Sequence, residues 1–188
     1  MVTPVSGDWC QDTIYHSQLV HRARAAAEAV VDPELPMLTL ADLGVLREVR
    51  VGADGGVTVS ITPTYTGCPA MDAMRKDLRA ALRGAGFEEV RINVALHPAW
   101  TTDWISDGGR RKLAEADIAP PGPASARARG RQAGWPVPLT LTPPRRRVPC
   151  PRCGSEDTEL TSEFGATACK ALRRCTACRE PFEHVKEI

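Results

Sequence analysis

The sequence predicts an α+β fold: a small mixed three-stranded sheet with flanking helices, plus a C-terminal zinc-ribbon-like metal domain. Three observations carry that expectation. Two alternating apolar runs flank a Gly-rich turn, and a third such run follows a helical stretch. Nine of the 16 prolines fall between Pro120 and Pro151, which divides the chain into two parts. Beyond them stand two C-x2-C pairs. The expected organisation is an N-terminal extension over 1–16, an α+β domain over 17–118, a Pro/Arg-rich linker over 119–148 and a ribbon over 149–188.

A first helix is expected over about Ser17 to Val30, with Leu19, Ala23, Ala27 and Val30 on one face. It stops before Pro33, because the residue ahead of a proline avoids helical backbone. Leu35 to Leu40 is apolar but broken by Pro36, and reads as a packed loop. Val45 to Val51 and Val57 to Thr62 form a hairpin across Gly52-Ala53-Asp54-Gly55-Gly56. A second helix presents Met71, Met74, Leu78, Ala81 and Leu82, and ends at Gly84-Ala85-Gly86. Val90, Ile92, Val94 and Leu96 alternate over a third strand, so a helical crossover joins strands two and three. Thr102 to Ala116 is weakly helical, with Gly108-Gly109 against it.

Of the 188 residues, 43% are hydrophobic and 25% charged, enough apolar content for a core in a soluble protein. No run approaches the roughly 18 apolar residues of a membrane span, and Met1 to Gln18 has no secretory pattern. A cytoplasmic location follows as the expectation. The net charge of +1 hides a segregation. Residues 1–117 hold 12 Lys/Arg against 16 Asp/Glu, whereas 118–155 hold seven arginines and no acid. An acidic main domain is a poor match for nucleic acid, and no membrane partner is expected. The arginines sit in an extended linker, where Trp135 and Leu139 offer apolar points for docking.

Cys150, Cys153, Cys175 and Cys178 form the two knuckles, separated by 21 residues. Each pair lets two sulfurs converge on one metal, and two pairs close a tetrahedral four-sulfur site with no open position. Structural zinc is the expected occupant, although a single iron suits the same donors. So short a segment cannot fold on its own core, so the metal supplies much of its stability. Across the proline linker, the first domain is expected to be independent of that metal. Cys169 has no partner at ligand spacing, and a structural and a redox-sensitive role both remain open; Cys10 receives no role.

Cys68 lies at the strand-to-helix junction Thr64-Tyr65-Thr66-Gly67-Cys68-Pro69-Ala70-Met71. With Pro69 at the first helical position, Cys68 is the expected N-cap. The helix dipole and free N–H groups there favour a thiolate. A small buried hydrophobe ending a strand is the competing reading. Asp32-Pro33-Glu34 is read either as a solvated turn or as two carboxylates facing a thiolate. His97, before Pro98, reads as a strand end. Trp100 and Trp104 read as core or interface anchors. His16, His21 and His184 have no ligand partner at helical spacing. No phosphate loop, Ser/His/Asp set or di-iron carboxylate motif is present.

These segments together resemble a known family. Val31-Asp32-Pro33-Glu34-Leu35-Pro36, Asp42-Leu43-Gly44-Val45, Pro63 to Ala70 and Ala99 to Ile105 are similar to the PaaD family, also called PaaJ. So are Cys150-Pro151-Arg152-Cys153-Gly154, Phe164-Gly165, Cys169-Lys170-Ala171-Leu172 and Cys175 to Phe182. The likeness runs in order from about residue 17 to 183. It implies an accessory protein of bacterial phenylacetate catabolism, tied to the multicomponent oxygenase that epoxidises the ring of phenylacetyl-CoA. It also implies a main domain like those of iron–sulfur assembly factors and SufT-like proteins. The implied role is maturing or maintaining the iron–sulfur cluster of the flavoprotein reductase, not oxygenation. The implied partners are oxygenase-system components, that reductase above all, and other iron–sulfur assembly proteins. Cys68, with Asp32 and Glu34, occupies the signature positions, and the cargo implied there is iron or an iron–sulfur cluster. Two other classes remain: a zinc-ribbon interaction module, nucleic acid included, and a purely structural oxygenase subunit.

Overall fold

The computed structural model describes residues 8–65, 67–123 and 147–188, and of residues 8–13 the helical backbone. Most of the 119–148 linker, with Trp135 and Leu139, lies outside the described residues. Among the described residues no helix is long and apolar enough to cross a membrane.

Helix α1 spans Asp8–Glu28, starting nine residues earlier than its apolar face predicts. No proline or glycine interrupts Asp8 to Ser17, so the helix continues although Ile14 and Tyr15 stay exposed. Ala23, Ala27 and Val30 are buried, as the spacing requires, and Leu19 is partly so. The following loop packs Leu35, Leu38 and Leu40 into the core, held by Asp32 N–H to the Leu38 carbonyl at 2.9 Å.

Strands β1 (Leu46–Val51) and β2 (Val57–Ile61) pair antiparallel, and β3 (Val90–Val94) pairs parallel with β2. The mixed sheet has the order β1-β2-β3. Helix α2 (Met71–Gly84) is the crossover, laying Met74, Leu78 and Leu82 on the sheet. Val57, Val59 and Ile61 of the central strand are at most 1% exposed, so the sheet centre is the centre of the core.

The segment Asp42-Leu43-Gly44 is scaffold. The Asp42 carboxylate accepts the Thr39 N–H at 3.0 Å and pairs with Lys112 at 2.6 Å. Leu43 offers its carbonyl to the buried Trp100 indole N–H at 2.9 Å. Gly44 has φ +67°, and a Cβ there would meet Trp104 at 2.6 Å, so both backbone and space demand glycine. Trp104 sits on a 3-10 turn, Thr102–Trp104, with the Arg47 guanidinium 3.6 Å from its ring centroid. Helix α3 (Asp107–Glu115) follows, capped by the Ser106 hydroxyl accepting the Gly109 N–H at 2.9 Å. The cap and the Lys112 bridge hold this helix despite Gly108-Gly109.

Three further strands, β5 (Thr158–Ser162), β6 (Lys170–Cys175) and β7 (Pro181–Val185), make an antiparallel ribbon. Its sheet has a fourth member. Strand β4 (Ile118–Ala119) leaves α3 and pairs parallel with β7, giving the order β4-β7-β6-β5. Apolar residues are exchanged in both directions. Ala119 packs in the ribbon core with Val148, Cys150, Cys175 and Phe182, while Val185 packs in the core of the first unit. The Ile188 carbonyl accepts the Thr101 hydroxyl at 2.9 Å and the Thr102 N–H at 3.2 Å. The independence expected across the linker therefore meets a shared sheet, with one apolar residue of each unit packed in the other's core.

Val185→Ala is expected to cost about 2 kcal/mol, the order for losing two buried methyl groups. Denaturant unfolding followed by circular dichroism should show a lower midpoint for the whole chain. A lowered midpoint confined to the ribbon would mean that the cores are separate.

Candidate functional site

Two clusters of chemistry stand at opposite ends of β6. At one end are the knuckles. The sulfurs of Cys150, Cys153, Cys175 and Cys178 all lie within 4.8 Å of one another. Cys150 Sγ is 3.8 Å from Cys178 Sγ, and Cys153 Sγ is 3.6 Å from Cys175 Sγ. These separations are far too long for disulfides. They fit a tetrahedron with bonds of about 2.3 Å, whose edges are about 3.8 Å. Each knuckle is built by its turn: Gly154, at φ +73°, donates its N–H to the Cys150 carbonyl at 2.9 Å. The Cys178 N–H points at Cys175 Sγ from 3.5 Å, and this contact leads in bringing the Cys175 thiol down to about 7. A donor set of four sulfurs, supported by backbone N–H groups, suits zinc and closes the site to substrate.

At the other end, residues from both units converge. Asp32 is buried, and its Oδ1 accepts the N–H groups of Glu34 and Leu35, each at 2.8 Å. That turn presents the half-buried Glu34. Burial pushes the Asp32 carboxyl above its ordinary range, against those two hydrogen bonds and the charge of Lys170. Glu34 is also raised, by burial and then by Asp32.

Cys68 is half-buried, within the field of both carboxylates. It is not the N-cap: α2 is capped by Ala70, in helical backbone without a side-chain cap. Pro69-Ala70 instead forms a turn in which the Met71 N–H reaches back to the Cys68 carbonyl at 3.4 Å. The Ala70 N–H still bonds the sulfur and lowers its pKa, but burial outweighs it, and Glu34, Asp32 and Cys169 add to the rise. The expected thiolate is thus a thiol in the free chain. Its N-terminal position supplies one N–H, while the carboxylates opposing it are invisible to local sequence.

Tyr65 has its pKa raised, first by burial and then by the charges of Cys68 and Glu34. Cys169 and Lys170 arrive from the ribbon. Cys169 Sγ lies 3.0 Å from the Thr167 hydroxyl, and its pKa is raised by burial and by Glu34. Lys170 is 5% exposed and pairs with Glu183 at 2.7 Å, with Asp32 and Glu34 in its field. Spacing marks none of Tyr65, Cys169 and Lys170 as part of this site. The one signal for Cys169-Lys170 is their place in a segment shared with a known family.

Comparison with known proteins matches this division. Residues 21–94 match the iron–sulfur cluster assembly protein family, and residues 136–186 the PaaD zinc beta ribbon domain. A protein of Escherichia coli (strain K12), assigned to 1,2-phenylacetyl-CoA epoxidase as one of its subunits, is 44% identical over 169 residues. The alignment covers 90% of this chain and 93% of that protein. The chain belongs to the PaaD family. A Porphyromonas gingivalis Fe-S protein maturation auxiliary factor is 40% identical over 85 residues, 45% of the PaaD-family chain and 80% of its own. The auxiliary factor SufT of Staphylococcus aureus (strain USA300) is 31% identical over 78 residues, 41% and 88% of the two chains. Both auxiliary factors are similar to less than half of this PaaD-family chain.

Metal analysis of the purified protein should find one tightly held zinc per chain. A double Cys175→Ser/Cys178→Ser substitution should remove it, and metal retained in that variant would place the zinc elsewhere. A second expectation concerns Asp32. Its folded pKa is raised, so its contribution to stability is full below the ordinary value of 3.8 and is lost as pH rises through the folded value. Asp32→Asn keeps an oxygen for the two N–H groups and removes the buried charge. The variant should match the parent in acid and be the more stable above the carboxylate range, in denaturant titrations run across pH.

Proposed function

We propose that this protein is an accessory subunit of the bacterial phenylacetyl-CoA ring 1,2-epoxidase system. In that role it matures or maintains the iron–sulfur cluster of the reductase component. The observation that carries the reading is that Cys68 lies in the field of Asp32 and Glu34 within residues 21–94, the part that matches the iron–sulfur cluster assembly protein family. The likeness to the epoxidase-assigned Escherichia coli protein over 90% of the chain supports the choice of recipient system.

The residues divide the work. Cys68 supplies the sulfur that binds iron or cluster as cargo. Asp32 shapes the turn through two N–H groups, and Glu34 offers a carboxylate beside the sulfur. Transfer is ligand exchange without change of oxidation state. A recipient cysteine forms its bond to iron as the Cys68–iron bond breaks, and the proton of the incoming thiol ends on Cys68. Burial and the neighbouring carboxylates favour that protonated product. The four zinc-site sulfurs take no part in the exchange, because they are committed.

Cys68→Ser should give a soluble, zinc-loaded protein. In cells growing on phenylacetate, the reductase should then lack its iron–sulfur absorption and ring epoxidation should fall. A cysteine serving only packing would tolerate serine with a loss on the order of 1 kcal/mol and normal growth. Unchanged growth and reductase cluster content would remove the role given to this thiol and favour a purely structural subunit.

A further inference from the structure

We propose that Phe164, on the turn between β5 and β6, anchors this chain to the recipient iron–sulfur protein by entering an apolar pocket with a carboxylate at its rim. This deepens the maturation reading and rests on it for the identity of the recipient. The ring is 65% exposed, more than any other large hydrophobic residue described, and it belongs to neither core. An exposed apolar residue alone is ordinary. Phe164 differs in how firmly its turn is built.

The Ser162 hydroxyl donates to the Phe164 carbonyl at 2.8 Å and accepts the Phe164 N–H at 3.2 Å. The Gly165 N–H donates to the Lys170 carbonyl at 2.8 Å. A Cβ on Gly165 would meet Glu183 Oε1 at 3.2 Å and Lys170 Cβ at 3.3 Å, so the turn lies directly on the Lys170–Glu183 ion pair. Lys186 adds a further tie. Its Nζ donates to the Glu163 carbonyl at 3.0 Å and stands 4.5 Å from the centroid of the Phe164 ring. These contacts fix the backbone and the ring before a partner arrives, so little conformational freedom is lost on binding. None of them buries the ring.

The same support defines the partner's chemistry. A preorganised aromatic ring suits the apolar centre of a protein interface. An ammonium has three N–H groups, and the described hydrogen bonds of Lys186 Nζ use one, on a neutral carbonyl. The cation beside the ring therefore suits a carboxylate at the pocket rim. Position favours the recipient. The turn rests on Lys170, which has Asp32 and Glu34 in its field, and the Lys186 backbone N–H donates to the Cys169 carbonyl at 2.9 Å. A protein seated on Phe164 is thereby held at the end of β6 away from the zinc-type cysteines, the end that an acceptor of iron from Cys68 has to approach.

The test titrates the zinc-loaded full chain with the purified reductase component at low and high salt. Phe164→Ala should weaken binding by about thirtyfold or more, the order for a hot-spot residue. Phe164→Tyr keeps the ring and should bind nearly as the parent does. Parent binding should weaken as salt rises, and Lys186→Gln should remove most of that dependence. Zinc content should stay at the parent value in every variant. If the parent binds and Phe164→Ala binds equally, the anchor is wrong and the maturation reading survives. Loss in that variant of a self-association seen in sedimentation would then make a second copy of this chain the occupant. If the parent does not bind the reductase, both readings fall. An unchanged salt dependence in Lys186→Gln would overturn the charged rim. Hydroxyl-radical labelling of the unaltered protein gives a measurement independent of variant folding. Bound reductase should protect Phe164, and unchanged labelling there would overturn the proposal.

Discussion

The arrangement depends on the two-residue ladder between β4 and β7. Alone it is a short pairing, but each side delivers an apolar residue into the other's core: Ala119 into the ribbon, Val185 into the first unit. Hydrogen bonds to a strand edge are weak anchors in water, and the burial that accompanies them gives the contact its strength. Once that junction is made, the position of Cys169-Lys170 against Asp32, Glu34 and Cys68 follows from strand geometry. The zinc-type cysteines stand at one end of β6, whose opposite end leads to the second cluster.

That cluster runs against stability. A buried carboxyl, a second carboxyl beside it and two half-buried thiols would be replaced by apolar residues if packing alone were at stake. Asp32 offsets part of its cost by capping two N–H groups, yet burial still raises its pKa. Groups of this kind, brought together by different elements, are what the proposed maturation role would retain at a cost in stability. The Asp42-Leu43-Gly44 segment has the opposite character. Each of its residues is consumed by structure: a salt bridge, an acceptor for Trp100 and clearance for Trp104.

Much of this is legible in the sequence. Alternation in Val57, Val59 and Ile61, and helical spacing in Met74, Leu78 and Leu82, locate the sheet and its crossover because both patterns report local burial. The four zinc-type cysteines are legible for a similar reason, since a knuckle is a local device. The rest is hidden by distance along the chain. Nothing near Ile118–Ala119 announces a partner some 60 residues later, and nothing near Cys169 announces Cys68. The state of Cys68 is misread from sequence because a helix N-terminus is visible locally, whereas the burial that raises its pKa, and the carboxylates that add to the rise, come with tertiary packing. The N-terminal start of α1 escapes notice because its first turns have no buried face to mark them.

The parallel pairing of β4 with β7 also sets a sequence of events during synthesis. Ile118 and Ala119 leave the ribosome well before Pro181–Val185 exist. At about 5–20 residues per second, that gap is roughly 3–12 seconds. The nascent first unit meanwhile collapses around a core that still awaits Val185, with one β edge uncapped. Docking of the ribbon therefore follows the synthesis of the first unit. The period before it is when the half-made chain is most open to chaperones and proteases.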